Sequence, residues 1–122
     1  MTQSLLHSFK CAFAGIGRAF ASGRNFKIEL GFAVAAIVLG VAFRIDFTQW
    51  AVVFACIGMV LAAECANTAL EALVDLVSPE YHELARIAKD CAAGAVLVMS
   101  IASLFVAAFV FLPNMAAAFG IV

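Results

Sequence analysis

The sequence predicts an all-α membrane protein: three transmembrane helices preceded by an amphipathic surface helix. Three observations carry that prediction. Of the 122 residues, 66% are hydrophobic and 12% are charged, too little polar surface for a soluble domain of this length. The apolar residues gather into three segments that can span, 27–43, 50–77 and 91–112; about 17–25 residues cross a bilayer, and the third, without a charged side chain, is the clearest. The connections are short, and the segments are rich in Ala, Val and Leu without the strict alternation of a membrane barrel.

Residues 3–22 form the surface element. On a helix, Leu5, Phe9, Ala12, Phe13, Ile16 and Phe20 share one face, while His7, Lys10 and Arg18 occupy the other, the pattern of a helix lying in the membrane interface. Ala19-Phe20-Ala21 resembles a cleavage site, but Lys10 and Arg18 interrupt any apolar core of a signal peptide. Ser22-Gly23-Arg24-Asn25 reads as a bend into the first span.

Orientation follows from the cations. Lys10, Arg18, Arg24, Lys27, Arg86 and Lys89 flank spans on one side, and Arg44 lies in the opposite loop with Asp46. The positive-inside rule therefore places the N-terminus in the cytoplasm and the C-terminus outside. The net charge of −1 and the lack of a basic, aromatic-interleaved run give no sign of nucleic-acid binding.

Several chemistries lack their motifs. The four cysteines, at 11, 56, 65 and 91, have no paired metal spacing and read as free thiols, and His7 and His82 are far apart. Gly15-Ile16-Gly17 lacks the Gly-Lys-Ser/Thr of a phosphate-binding loop. The chain reads as one domain, 1–122, without repeat or linker.

The second span ends in an anomaly. Glu64, Asn67, Glu71 and Asp75 recur at spacings of three, four and four, so they form one stripe on a helix. Trp50 to Ala63 carries no charge and spans about 21 Å at 1.5 Å per residue, which sets Glu64 near the inner edge of the hydrocarbon. Glu71 follows about 10 Å further along, and Asp75 about 6 Å beyond that. An acid within a span costs on the order of 2.5–3.5 kcal/mol on insertion scales, so it marks a site or pathway. Helix–helix glue is the alternative for Glu64 and Asn67, and a solvated helix end is the alternative for Asp75. Three carboxylates on one face repel unless a cation neutralises them, and magnesium-bound phosphate does so. Beyond the stripe, Ser78-Pro79 punctuates the chain, and Lys89 can either reach phosphate or anchor the third span by snorkelling.

ECANTALEALVD (64–75), SPEYHELARIAKD (78–90) and CAAGAVLV (91–98) together closely resemble the signature of the small prokaryotic membrane lipid kinases, the diacylglycerol and undecaprenol kinases. The similarity extends from about Phe9 to Pro113. The resemblance implies a homotrimeric helical bundle that uses magnesium-ATP to phosphorylate a membrane lipid alcohol at the inner leaflet. It implies Glu64 as general base, Asn67 as its support, and Glu71 as the ligand for Mg2+ bridging the phosphates of ATP. Glu80, Tyr81, His82, Lys89 and Asp90 match the nucleotide-contacting positions of the family.

Two departures stand out against that pattern. Many relatives carry a metal-binding acid where this chain has Gly23, and an aromatic or other nucleotide-contacting residue where it has Cys11. Glu29, six residues after Gly23, is about 600° further around a continuous helix, hence roughly 120° off the face and an imperfect substitute on the same chain; it is the alternative metal ligand, reaching the site from another direction or another protomer, or else an interfacial charge. Arg24-Asn25, Ser78-Pro79-Glu80-Tyr81-His82 and Phe111-Leu112-Pro113 look more like the undecaprenol kinases, with diacylglycerol as the alternative substrate. Two other classes remain: a non-catalytic nucleotide- or lipid-binding relative, and a small proton-conducting subunit. The latter lacks ionisable groups in 32–43 and 50–63.

Overall fold

The structure, a computed structural model, describes residues 4–121. Gln3, the expected first residue of the surface helix, lies outside them. Four helices follow in order, α1 (Leu5–Ser22), α2 (Arg24–Ala42), α3 (Phe47–Val77) and α4 (Glu83–Ala118), and the described residues contain no strand.

Ser4 caps α1 by accepting the His7 N–H at 3.2 Å. The stripe of Leu5, Phe9, Phe13, Ile16 and Phe20 is exposed, and only Ala19 is buried against the bundle. An apolar face left open along an 18-residue helix suits the boundary between lipid headgroups and acyl chains. Phe20 meets Phe26 edge to face, and Lys27 Nζ lies 5.4 Å from the Phe20 ring centroid, fixing the entry into α2. The bend is the single residue Gly23, extended at φ −117° and ψ 119°, so α2 begins earlier than the expected Lys27.

At the far end, Arg44 takes a left-handed conformation with φ 52°, and Ile45 N–H donates to the Gly40 carbonyl. Asp46 Oδ1 accepts the Gln49 N–H at 2.8 Å while Gln49 Oε1 accepts the Asp46 N–H at 3.2 Å, a reciprocal cap that starts α3. Gly40 lets the turn close: a Cβ there would lie 2.6 Å from Trp50 Cη2. Ile45, Val53, Val110 and Phe111 form the buried cluster at this end, with Trp50 and Ile57 packed on it.

With 31 residues, α3 is about 46 Å long, well beyond the roughly 30 Å hydrocarbon thickness. Its buried residues are Val53, Val60 and Glu64, so the acidic stripe continues the seam that α3 turns toward its neighbours. The third long helix differs from the expected 91–112 at both ends. It starts at Glu83, where His82 Nδ1 accepts the Leu84 N–H, and it runs through Pro113 to Ala118. Proline deprives the Phe109 carbonyl of its helical donor. The next residue, Asn114, tightens the turn by donating from Nδ2 to the Val110 carbonyl at 2.6 Å.

All three long helices qualify as membrane spans by length and hydropathy. Phe32, Phe54, Leu104 and Phe105 are more than half exposed, a surface that calls for lipid or another subunit. The chain is an integral membrane protein.

Candidate functional site

Toward the α3–α4 connection the seam between α2, α3 and α4 becomes polar. A cavity of about 290 Å³ is lined by Asn25 and Glu29 of α2, by Glu64, Asn67 and Glu71 of α3, and by Ala93, Val96, Leu97 and Ser100 of α4. Helical spacing explains the set. Asn25 and Glu29 are four residues apart, Glu64, Asn67 and Glu71 three and four apart, and Ala93, Val96 or Leu97, and Ser100 repeat the same step. Each helix therefore turns one face into the chamber.

Among the described residues Glu64 is the buried charged one, 4% exposed, and its Oε1 has no hydrogen-bond partner; nor does Asn67 Oδ1. Asn67 Nδ2 donates to Glu71 Oε1 at 3.3 Å. Ser100 Oγ donates to Glu29 Oε1 at 2.8 Å, linking α4 to α2. An unpartnered buried carboxylate oxygen is costly to desolvate, so these atoms await a ligand, a proton or a cation.

The angle expected for Glu29 does not apply to the structure. It assumes a continuous helix from Gly23, whereas Gly23 is extended and α2 starts only at Arg24. The break resets the rotation, and Glu29 lines the same cavity as Glu64 and Glu71 on its own chain.

Glu80, Tyr81, His82, Lys89 and Asp90 do not line this cavity. They lie at the α3–α4 connection and the first turns of α4. The Tyr81 hydroxyl donates to Glu83 Oε2 at 2.6 Å, His82 caps α4, and Asp90 pairs with Arg86 at 2.9 Å. Hydrogen bonds from Arg86 and then Tyr81 hold the Glu83 carboxyl below the ordinary carboxylate value. Lys89 Nζ donates to Asp75 Oδ1 at 2.6 Å, and that bond raises its pKa above the usual lysine value. Asp75 is thus not an idle helix end: it engages the cation expected to meet phosphate.

Two polar residues of the cavity were not expected there: Asn25, placed in the bend and the Arg24-Asn25 motif, and Ser100. Asn25 carries a signal, its four-residue spacing from Glu29. Ser100 stands with Ser103 as a polar interruption of a long apolar run, which marks a contact without naming its partner. The cysteines are free, as expected.

The donor set suits a hard cation, being all oxygen: the Glu29 and Glu71 carboxylates, Glu64, and the unpartnered Asn67 Oδ1. Among the described residues no group of three or more Asp, Glu, His or Cys side chains is placed to hold a metal ion by itself. Magnesium needs none, since it keeps several waters and takes one or two carboxylates together with substrate phosphates.

The profile of the prokaryotic diacylglycerol kinase family matches residues 10–111. The chain is 46% identical to a diacylglycerol kinase of Synechocystis sp. over 93% of its own length, and spans 65% of that relative's length. It is 36% identical to the undecaprenol kinase of Bacillus subtilis over 88% of each chain. It is 30% identical to the diacylglycerol kinase of Escherichia coli over 71% of each. With a family match across nearly all of its helical residues and a buried carboxylate facing a chamber of oxygen donors, the chain belongs to the prokaryotic diacylglycerol kinase family of membrane lipid kinases.

Proposed function

We propose that the chain is an ATP- and Mg2+-dependent kinase of a membrane lipid alcohol, with undecaprenol as the substrate. One observation carries the reading: Glu64, buried and with a free Oε1, faces a cavity at the end of the membrane seam where a lipid hydroxyl would wait. In this mechanism Glu64 takes the proton of the lipid hydroxyl as that oxygen attacks the γ-phosphorus. The bond from the γ-phosphorus to the bridging oxygen breaks, and ADP departs with the electron pair. Asn67 donates to Glu71 Oε1 and supports the site from the helical turn between the two acids. Glu71 and Glu29 are the residues that would hold Mg2+, whose chemistry when bound is to offset charge on the phosphate oxygens. Phosphoryl transfer asks mainly for position and charge neutralisation, so this small set suffices without a phosphate-binding loop.

Glu80, Tyr81, His82, Lys89 and Asp90 are assigned to the nucleotide. Lys89 reaches the phosphates by exchanging its Asp75 partner, an exposed pair that costs little to open. The chain lies in a bacterial inner membrane, with α1 and the α3–α4 connection in the cytoplasm, as its cations suggest. It works as a homotrimer, which would cover part of the exposed apolar surface.

Undecaprenol is favoured by the end-to-end similarity to the Bacillus subtilis enzyme. The higher identity to the Synechocystis relative supports a second reading, diacylglycerol. The test is transfer from γ-labelled ATP with Mg2+ to undecaprenol and to diacylglycerol in parallel. Label in undecaprenol at the higher kcat/KM supports the first reading, preference for diacylglycerol supports the second, and label in neither refutes both.

A further inference from the structure

We propose that Ser100 is a positioning residue that holds Glu29 as the ligand contributed by α2 to a divalent cation, an inference that rests on the magnesium–phosphate reading of the cavity. A second, apolar cavity of about 160 Å³ runs on between the same three helices toward Val53 and Phe111. Glu29 and Ser100 line both chambers, and no other residue does. Their hydrogen bond therefore lies on the boundary between the polar chamber and the apolar one.

That placement defines what the bond does. On the apolar side stand Phe32, Ala33, Val60 and Leu104, which offer a carboxylate no hydrogen bond. On the polar side, Glu64 Oε1 and Asn67 Oδ1 are buried acceptors without donors, Asn67 Nδ2 is engaged by Glu71, and no side chain lining that chamber other than Ser100 hydrogen-bonds Glu29 among the described residues. Ser100 supplies the donor. It comes from a different helix and engages one of the two Glu29 oxygens at 2.8 Å, fixing the carboxylate before a cation arrives. A hydroxyl that orients an acidic ligand without binding the metal typically changes metal affinity by about ten- to a hundredfold when removed. A bond serving only helix packing leaves affinity alone.

The two roles separate in a measurement that needs no turnover. Mn2+ is titrated into the purified full-length protein in lipid nanodiscs, with a non-hydrolysable ATP analogue, and free Mn2+ is read by electron paramagnetic resonance. The inference predicts that Ser100→Ala weakens Mn2+ binding about tenfold, that Ser100→Thr restores it to within about threefold of wild type, and that Ser100→Ala adds nothing to Glu29→Gln. Melting temperatures of the variants confirm folding, and Ser100→Thr keeps the test valid if the alanine variant is unstable. Wild-type affinity in Ser100→Ala, additive effects of the two substitutions, or no Mn2+ binding by the wild type would overturn the inference. Wild-type turnover of lipid with Ser100-indifferent Mn2+ binding defeats the inference and leaves the kinase reading standing. Ser100-dependent Mn2+ binding without turnover of any lipid does the reverse.

Discussion

Lys89 and Asp75 tie the start of α4 to the end of α3, with Nζ donating to Oδ1 at 2.6 Å across fourteen residues of chain. Both side chains are substantially exposed, at 40% and 65%, so the bond is screened by water and holds the lysine without locking it.

This arrangement predicts opposite consequences for its two members. If Lys89 meets phosphate as proposed, Lys89→Met raises KM for ATP at least about tenfold, because it removes that charge. Asp75→Asn leaves the lysine in place and shifts KM little. Neither changes the melting temperature appreciably. Initial rates against ATP concentration, with a melt of each variant, check the pair; equal effects on KM would show that the ion pair itself, rather than free Lys89, serves the site.

The opposite end of the bundle makes a prediction about packing. Gly40→Ala forces a Cβ to 2.6 Å from Trp50 Cη2 and 3.0 Å from Ile45 Cδ1, and overpacking of this kind costs about 1–3 kcal/mol. Trp50→Phe in the same chain vacates the ring atoms responsible and recovers part of that loss. Denaturant unfolding in mixed micelles measures both. Equal stability of Gly40→Ala and wild type would mean that Trp50 does not cover Gly40.

Gly23 allows a test of the metal site by addition. Its φ of −117° suits any residue, and an added Cβ would meet the Ala19 carbonyl at 3.1 Å, a contact relieved by a shift of a few tenths of an ångström. Gly23→Glu therefore folds, and lowers the Mg2+ concentration giving half-maximal rate by bringing another carboxylate to the start of α2. An unchanged Mg2+ dependence would place position 23 outside the site.

The fold was legible because its causes are local. The 3.6-residue stripe of Leu5, Phe9, Phe13, Ile16 and Phe20 and the runs of apolar residues are properties of composition and spacing, and they appear as α1 and three membrane-length helices. The stripe of Glu64, Asn67 and Glu71 was legible for the same reason. What spacing along one helix does not contain is the relation between helices. The Ser100–Glu29 bond joins residues 71 apart, and the direction of Glu29 depended on whether the chain is helical at Gly23. The ends of α4 also escaped, because His82 capping and the Asn114 bond past Pro113 are side-chain effects that hydropathy does not register.

Glu64 carries the central claim, and Glu64→Gln tests it most directly because the amide keeps the shape of the side chain and removes its basicity. Transfer of γ-phosphate from labelled ATP to undecaprenol in nanodiscs should fall by about 10²–10⁴-fold, with the melting temperature and oligomer size of the wild type retained. Turnover within about twofold of wild type would contradict the account, since a buried carboxylate that is not needed as a base would be a packing feature of the seam and not the centre of its chemistry.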